Sequence, residues 1–206
     1  MENKIMVFGG TGGVGQIIVQ KLVDNGENVC VLTRQSIQSK PNLTYKLGNV
    51  LDIEPVEKFI EQDDNVIIAL GFNNSSLDTM SKGTANIISA MKKNGAKRII
   101  CLSAQGAGDS WADMPDEFRT MVLNDTILKA SFHDHGIQED LVKNSDLKWT
   151  IVRPTEITIE REKGSYTKNR TTKESIFQIS KFDVAQFIID ELNNDEFIRQ
   201  VVMITN

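Results

Sequence analysis

Five of the seven residues from Gly9 to Gly15 are glycine, in the run Gly9-Gly10-Thr11-Gly12-Gly13-Val14-Gly15. Gly10, Gly12 and Gly15 fit G-x-G-x-x-G, and Gly9, Gly12 and Gly15 fit G-x-x-G-x-x-G. A strand-to-helix turn that receives a pyrophosphate must turn tightly, let backbone approach the phosphates, and pack its helix close to its strand. Glycine meets all three demands because it has no Cβ, and the helix start adds free N–H groups and a positive dipole end. A plain tight turn would account for one or two of these glycines, but not for five. The run therefore predicts a dinucleotide site.

A second chemical signal lies at Leu32-Thr33-Arg34-Gln35-Ser36. An NAD site commonly places a carboxylate there for the ribose 2′-hydroxyl. No carboxylate is present. Arg34 could stack on adenine and pair with a 2′-phosphate, with Ser36 and Lys40 as further donors. The expected cofactor is NADP(H). Elsewhere, Ser103 either orients a substrate or satisfies backbone at a strand end. Trp111 either stacks on a flat substrate or anchors its loop. Glu156 either faces the site or is a loop carboxylate. His133 and His135 are the only histidines. Two residues apart on a helix they do not face each other, so no metal site is expected. Cys30 and Cys101 sit in apolar runs and read as buried, reduced thiols.

Elements must position these groups. Apolar strand patterns occur at 4–8, 28–33, 43–47, 66–70, 97–103, 148–152 and 200–204. Helical patterns occur at 14–23, near 55–61, and around Met80 to Met91 with Asn94-Gly95 as the stop. A polar helical region runs from about 115 to 144, with a break expected near Gly136. Ser180 and Asp183 suggest a capping box that opens a last helix. The segment 155–175 has little apolar periodicity and reads as a substrate-side excursion over one sheet edge. The alternation predicts an α/β fold: a doubly wound, mostly parallel Rossmann sheet with helices on both faces, in one domain over residues 1–206.

The 206 residues carry a formal net charge of −5, which argues against nucleic acid as the main partner. No run approaches the length of a membrane span, and the N-terminal apolar run is too short for a signal peptide. The expected compartment is the cytoplasm, and the expected state a monomer or small homo-oligomer.

The chain resembles the atypical short-chain dehydrogenases/reductases with an NAD(P)H-binding domain, and most closely the biliverdin reductase B and flavin reductase group. The resemblance rests on the glycine run and on Val31-Leu32-Thr33-Arg34, Gly48-Asn49-Val50-Leu51-Asp52, Val66-Ile67-Ile68-Ala69-Leu70-Gly71, Leu102-Ser103-Ala104 and Ser145-Asp146-Leu147-Lys148-Trp149. It implies Thr11, Gly13 and Val14 along the pyrophosphate and Arg34 on the 2′-phosphate. It implies Asn49 and Val50 beside adenine, and Leu70 and Gly71 at the nicotinamide-side ribose. Ser103 matches the family's active-site serine, and Pro154 to Ile157 would pass the carboxamide.

One departure bears on mechanism. Typical short-chain dehydrogenases protonate a developing alkoxide with a Tyr-x-x-x-Lys pair. Aligned back from Trp149, Ser131 and His135 stand near those places, and neither Tyr45 nor Tyr166 has lysine four residues on. The resemblance then implies hydride delivery to a planar conjugated acceptor (a flavin, quinone or linear tetrapyrrole), as in the biliverdin reductase B group, which also lacks the tyrosine. The alternative is a non-catalytic NADP(H)-binding redox sensor of the same superfamily. Arg34→Ala is expected to lose about tenfold in NADPH affinity while NADH affinity holds. Titration of both reduced cofactors checks this, and an unchanged preference refutes the assignment.

Overall fold

Alternate side chains of the first strand, β1 (Ile5–Phe8), enter different cores. Ile5 and Val7 join Val29, Val31, Ile67 and Ile100 in one cluster, whereas Met6 and Phe8 join Cys30, Leu32, Ile68 and Cys101 in the other. Strands buried on both faces in this way need helices on both faces. The computed structural model describes residues 4–72, 76–169 and 178–206. Within them β1 is followed by α1 (Gly15–Asp24), β2 (Val29–Thr33), β3 (Leu43–Leu47), α2 (Ile53–Phe59), β4 (Asn65–Ile68), α3 (Thr79–Asn94) and β5 (Arg98–Leu102). A 3₁₀ turn (Gly108–Asp113), α4 (Asp116–Asn124), α5 (Thr126–Lys143) and β6 (Lys148–Pro154) come next. The chain ends in β7 (Glu156–Thr158), β8 (Thr167–Asn169), β9 (Gln178–Ser180), α6 (Lys181–Asn194) and β10 (Gln200–Thr205).

The main sheet runs β3-β2-β1-β4-β5-β6-β10-β8, and all its pairs are parallel except the antiparallel β8 on β10. In register, Ile5 lies between Val29 and Asn65. Strand order reverses at β1, so a crevice forms where the carboxyl ends of β1 and β4 diverge. Helices α1 and α6 cover one face through Ile18, Leu22, Val184 and Phe187. On the other face α2, α3 and α5 bring Val56, Phe59, Ile87, Met91 and Val142. This is the doubly wound Rossmann architecture expected from the alternation. Both cysteines are buried and unpaired. Among the described residues no helix is long and apolar enough to cross a membrane.

Two local expectations are corrected. The helix break falls at Asp125, not near Gly136. Asp125 is extended, and its carboxylate accepts the N–H groups of Ile127 and Leu128 at 2.8 and 2.9 Å, which starts α5 afresh. Gly136 lies inside α5, where a Cβ would make an ordinary contact with Gly108 N at 3.5 Å. The capping box is only half formed. Ser180 Oγ accepts from Phe182 N, but Ser180 N–H donates to Asn206, and Asp183 accepts from Lys163 N and Gly164 N instead. The described part of the 155–175 segment holds two short strands. β7 pairs with β9 in a separate two-stranded parallel sheet, and β8 extends the main sheet as its edge strand. Residues 170–177 lie outside the described residues.

Arg98 on β5 is buried and donates to Glu191 Oε1 at 2.8 Å and Thr150 Oγ1 at 3.0 Å, while Glu191 also accepts from Thr150 and Phe197 N. The pair ties the end of α6 to the sheet. Among the described residues Glu191→Ala leaves Asp195 as the one carboxylate paired with the guanidinium and is expected to cost about 3 kcal/mol. Urea unfolding measures it, and a loss well below 1 kcal/mol would show that the pair does not hold α6.

Candidate functional site

A cleft of about 370 Å³ opens at the β1–β4 reversal, lined by Gly9, Thr11, Gly12, Gly13, Arg34, Asn49, Val50, Leu70 and Gly71, among others. The glycine run divides into two kinds of position. Gly9 has φ +83°, and a Cβ there would lie 2.2 Å from Ala69 O. A Cβ on Gly15 would lie 2.1 Å from Gly9 O, and one on Gly10 would meet Val31 and Val19 side chains at 2.9 and 3.0 Å. These three glycines let β1, α1 and β4 pack together. Gly13 faces open space, and a Cβ on Gly12 would have only Gly9 O near it, at 3.3 Å. No side chain caps the start of α1, and its first turn holds no acidic residue. A positive helix end beside bare backbone is the fit a pyrophosphate requires.

Arg34 reaches the cleft from the end of β2, exposed, with no hydrogen bond or ion pair among the described residues. Asn49 Oδ1 accepts from Leu51 N at 3.2 Å, and Asn86 holds Val50 O at 3.0 Å, so this wall is fixed from behind. Gly83 of α3 fits against Val50 and Leu70, where a Cβ would come within 3.0 Å of both. Phe72, Gly48 and Thr79 also line the cleft. Other expected residues do not line it. Gly10 and Gly15 serve packing, as above. Val14 is the half-buried residue preceding α1 and packs on the core. Ser36 and Lys40 are exposed beyond the lining. Pro154 is buried in β6 opposite Ile204, and Ile157 is an exposed residue of β7 opposite Ile179. Glu156 is an exposed strand carboxylate that accepts from Gln178 at 2.9 Å.

Ser103 is buried away from the cleft wall, and its Oγ donates to Glu139 Oε1 at 2.7 Å. Arg153 Nε donates to the same oxygen at 2.8 Å, and its Nη2 meets Glu139 Oε2 and Asp109. Lys143 adds a contact to Glu139 at 3.2 Å. Burial pushes the Glu139 carboxyl up, but the hydrogen bonds and charge of Arg153, with Ser103 and Lys143, hold it below the usual carboxylate range. The network fastens the 3₁₀ turn through Asp109 to α5 and β6. Gly108 fits over it, since a Cβ there would lie 2.9 Å from Glu139 Oε2.

Beyond that turn is a second cavity of about 440 Å³, lined by Trp111, Phe132, Lys129, His133, Gly136 and Ile137, among others. It shares no lining residue with the first cleft. Asp134 links the two regions. Its carboxylate accepts Met80 N at 2.8 Å and Ser81 N at 3.2 Å, capping α3 beside Thr79 of the cleft. His135 lines neither hollow. Its Nδ1 is 3.0 Å from Gln138 Oε1, and burial holds its pKa below the ordinary histidine value, against the raising effect of that contact. Among the described residues no group of three or more His, Cys, Asp or Glu side chains could hold a metal ion.

A family model described as NAD(P)H-binding matches residues 9–195. The chain belongs to this NAD(P)H-binding family. Its fold matches the anaerobilin reductase ChuY of Escherichia coli O157:H7 with a TM-score of 0.86 at 18% identity, covering 98% of this chain and 97% of that one. A short-chain dehydrogenase/reductase of Veillonella parvula, solved with NADP, matches with a TM-score of 0.81 at 18% identity over 100% and 95% of the two chains. In sequence, an undecaprenol-linked N-acetylglucosamine 4-epimerase of E. coli O157:H7 is 24% identical over 174 residues, 80% of this chain. The chain spans about half or less of the curated relatives it matches, 52% of that epimerase.

For this family member, sequence reasoning missed the Glu139–Arg153 network and the Asp134 cap. No signal in the sequence marks them, because the buried positions of α5, Asp134, Gln138 and Glu139 with Val142, are mostly polar. The two kinds of glycine predict different outcomes. Gly12→Val is expected to fold normally and lose dinucleotide binding, because its side chain enters the cleft. Gly15→Ala is expected to lower the melting temperature, because its Cβ meets backbone. Thermal melts and NADPH titration separate them, and normal NADPH binding by Gly12→Val would misplace the phosphates.

Proposed function

We propose that the protein is an NADP(H)-dependent reductase acting on a planar, conjugated acceptor such as a flavin, quinone or linear tetrapyrrole. One observation carries the reading: among the described residues lining the cleft, Arg34 is the only ionisable side chain. Gly12 and Gly13 would leave room for the pyrophosphate, Arg34 would pair with the 2′-phosphate, and Leu70 and Gly71 would line the nicotinamide end. The bound cofactor, when reduced, supplies hydride.

Reduction of a ketone concentrates charge on one oxygen, and a positioned acid is worth about 10²–10⁴ in rate. Among the described residues the cleft wall offers no such acid. Ser131 and His135 stand near the places of the family's tyrosine and lysine, and Ser103 already gives its hydroxyl to Glu139. A conjugated acceptor spreads the charge, takes its proton from water, and depends mainly on positioning. Membership of the NAD(P)H-binding family, and a fold shared with an anaerobilin reductase and an NADP-bound dehydrogenase, support this reading. The same wall favours a second reading, a dinucleotide-binding redox sensor, because binding alone needs no proton donor.

Loss of the reduced-nicotinamide absorbance, measured with FMN, a small quinone and a simple ketone, tests both. The expected result is turnover of the flavin or quinone, with the ketone slower by about 10²-fold or more. Ser103→Ala is expected to change the rate by no more than about tenfold, well short of a lost general acid. Efficient ketone reduction that vanishes in Ser103→Ala would overturn the mechanism. Tight NADPH binding with no turnover of any acceptor would select the sensor.

A further inference from the structure

The second cavity has a charge axis that the proposed function does not use. Lys129, His133, Gly136, Ile137 and Asp140 fall on one stripe of α5 and line it. At 1.5 Å per residue the stripe from Lys129 to Asp140 is about 16 Å long. Lys129 stands in the first turns of α5, where the helix dipole adds to its charge. Its ammonium makes no hydrogen bond or ion pair among the described residues. Asp140 stands at the opposite end, so one end attracts an anion and the other repels it.

Between the ends the walls are aromatic and preformed. The Trp111 and Phe132 rings meet at 50° with centroids 6.3 Å apart, forming a corner. Phe118 packs edge-on behind Phe132 at 5.5 Å, and a Cβ on Gly106 would come within 3.2 Å of the same ring. Phe132 is therefore held by Phe118 and by the close approach of Gly106. Trp111 is fixed through its own turn, which Asp109 fastens to Arg153. Gly136 contributes bare backbone to the wall. An apolar slot with few polar groups, placed to fix orientation, is the usual form of a small-molecule site.

We propose that this cavity binds a flat aromatic ligand carrying an anionic group, with its ring against Trp111, Phe132 and Gly136 and its anion at Lys129. The cavity shares no lining residue with the glycine cleft, so the proposal concerns binding alone and stands apart from the reductase reading.

FMN and riboflavin share a ring system and differ by one phosphate, so the pair isolates the anion's contribution. Calorimetric titration of both into protein saturated with NADP⁺, and into Gly12→Val, keeps the phosphate out of the glycine cleft. FMN is expected to bind about tenfold more tightly than riboflavin, as one charge-assisted contact provides. Lys129→Met is expected to erase the difference and leave riboflavin affinity unchanged. Trp111→Ala is expected to weaken both by about tenfold or more. Equal affinities in the parent protein, a preference that survives Lys129→Met, or no binding of either flavin overturns the proposal. The two readings fail separately. Protein that binds FMN as described but never oxidises NADPH keeps the site and loses the reductase reading. Protein that reduces the flavins but binds both with equal affinity, unaffected by Lys129→Met or Trp111→Ala, keeps the reductase reading and loses the site.

Discussion

The cleft depends on two places where backbone touches backbone. Gly9 passes so close to Ala69 that a Cβ would lie 2.2 Å from its carbonyl oxygen, and Gly15 approaches Gly9 O to 2.1 Å on the same measure. Both distances are impossible for any side chain. Through these contacts the β1–α1 turn packs under the end of β4, and α1 starts directly against β1. Once that packing is fixed, Gly13 faces open space and Gly12 has only Gly9 O near it, at a helix start with no side-chain cap. The anion-binding character of the turn is thus a consequence of packing one step earlier in the chain.

The other half of the molecule is held by buried charge. Glu139 lies fully buried on α5, and Arg153, Ser103 and Lys143 gather around it. A buried ion pair is weak evidence for stability in itself, because desolvation offsets much of its attraction. Its effect here is geometric. It fixes the turn that carries Trp111 by pairing Asp109, and it occupies the serine hydroxyl that the sequence would assign to a substrate. Asp134 acts on the same helix in the same manner, capping α3 from 54 residues away where the adjacent Asp78 makes no cap. The two hollows are therefore joined through α5, one by a cap and the other by a salt-bridged turn.

Much of this was legible in the chain. Short, doubly apolar strand runs gave the parallel sheet, because a strand buried on both faces has no polar alternation to hide. The glycine run gave the place of the cleft, Arg34 stood out because no carboxylate follows β2, and Asn49, Val50, Leu70 and Gly71, which also line it, are what the family resemblance implies. The polar helix was harder. Apolar periodicity locates α3 through Met80, Ile87 and Met91, but α5 buries Asp134, Gln138 and Glu139 with Val142, and a polar residue carries no mark of its burial.

The sequence by itself determined the architecture and the chemistry of the first turn, since both follow from residue size and local spacing. Tertiary structure decided which glycines face a ligand and which serve packing, because a missing Cβ has meaning only against the atom it would strike. It decided likewise that Ser103 faces a carboxylate 36 residues away and that Glu156 meets Gln178. It also decided that Lys129 and Asp140 mark opposite ends of one cavity. Each of these depends on partners distant in the chain, whose approach is set by the packing of whole helices against the sheet.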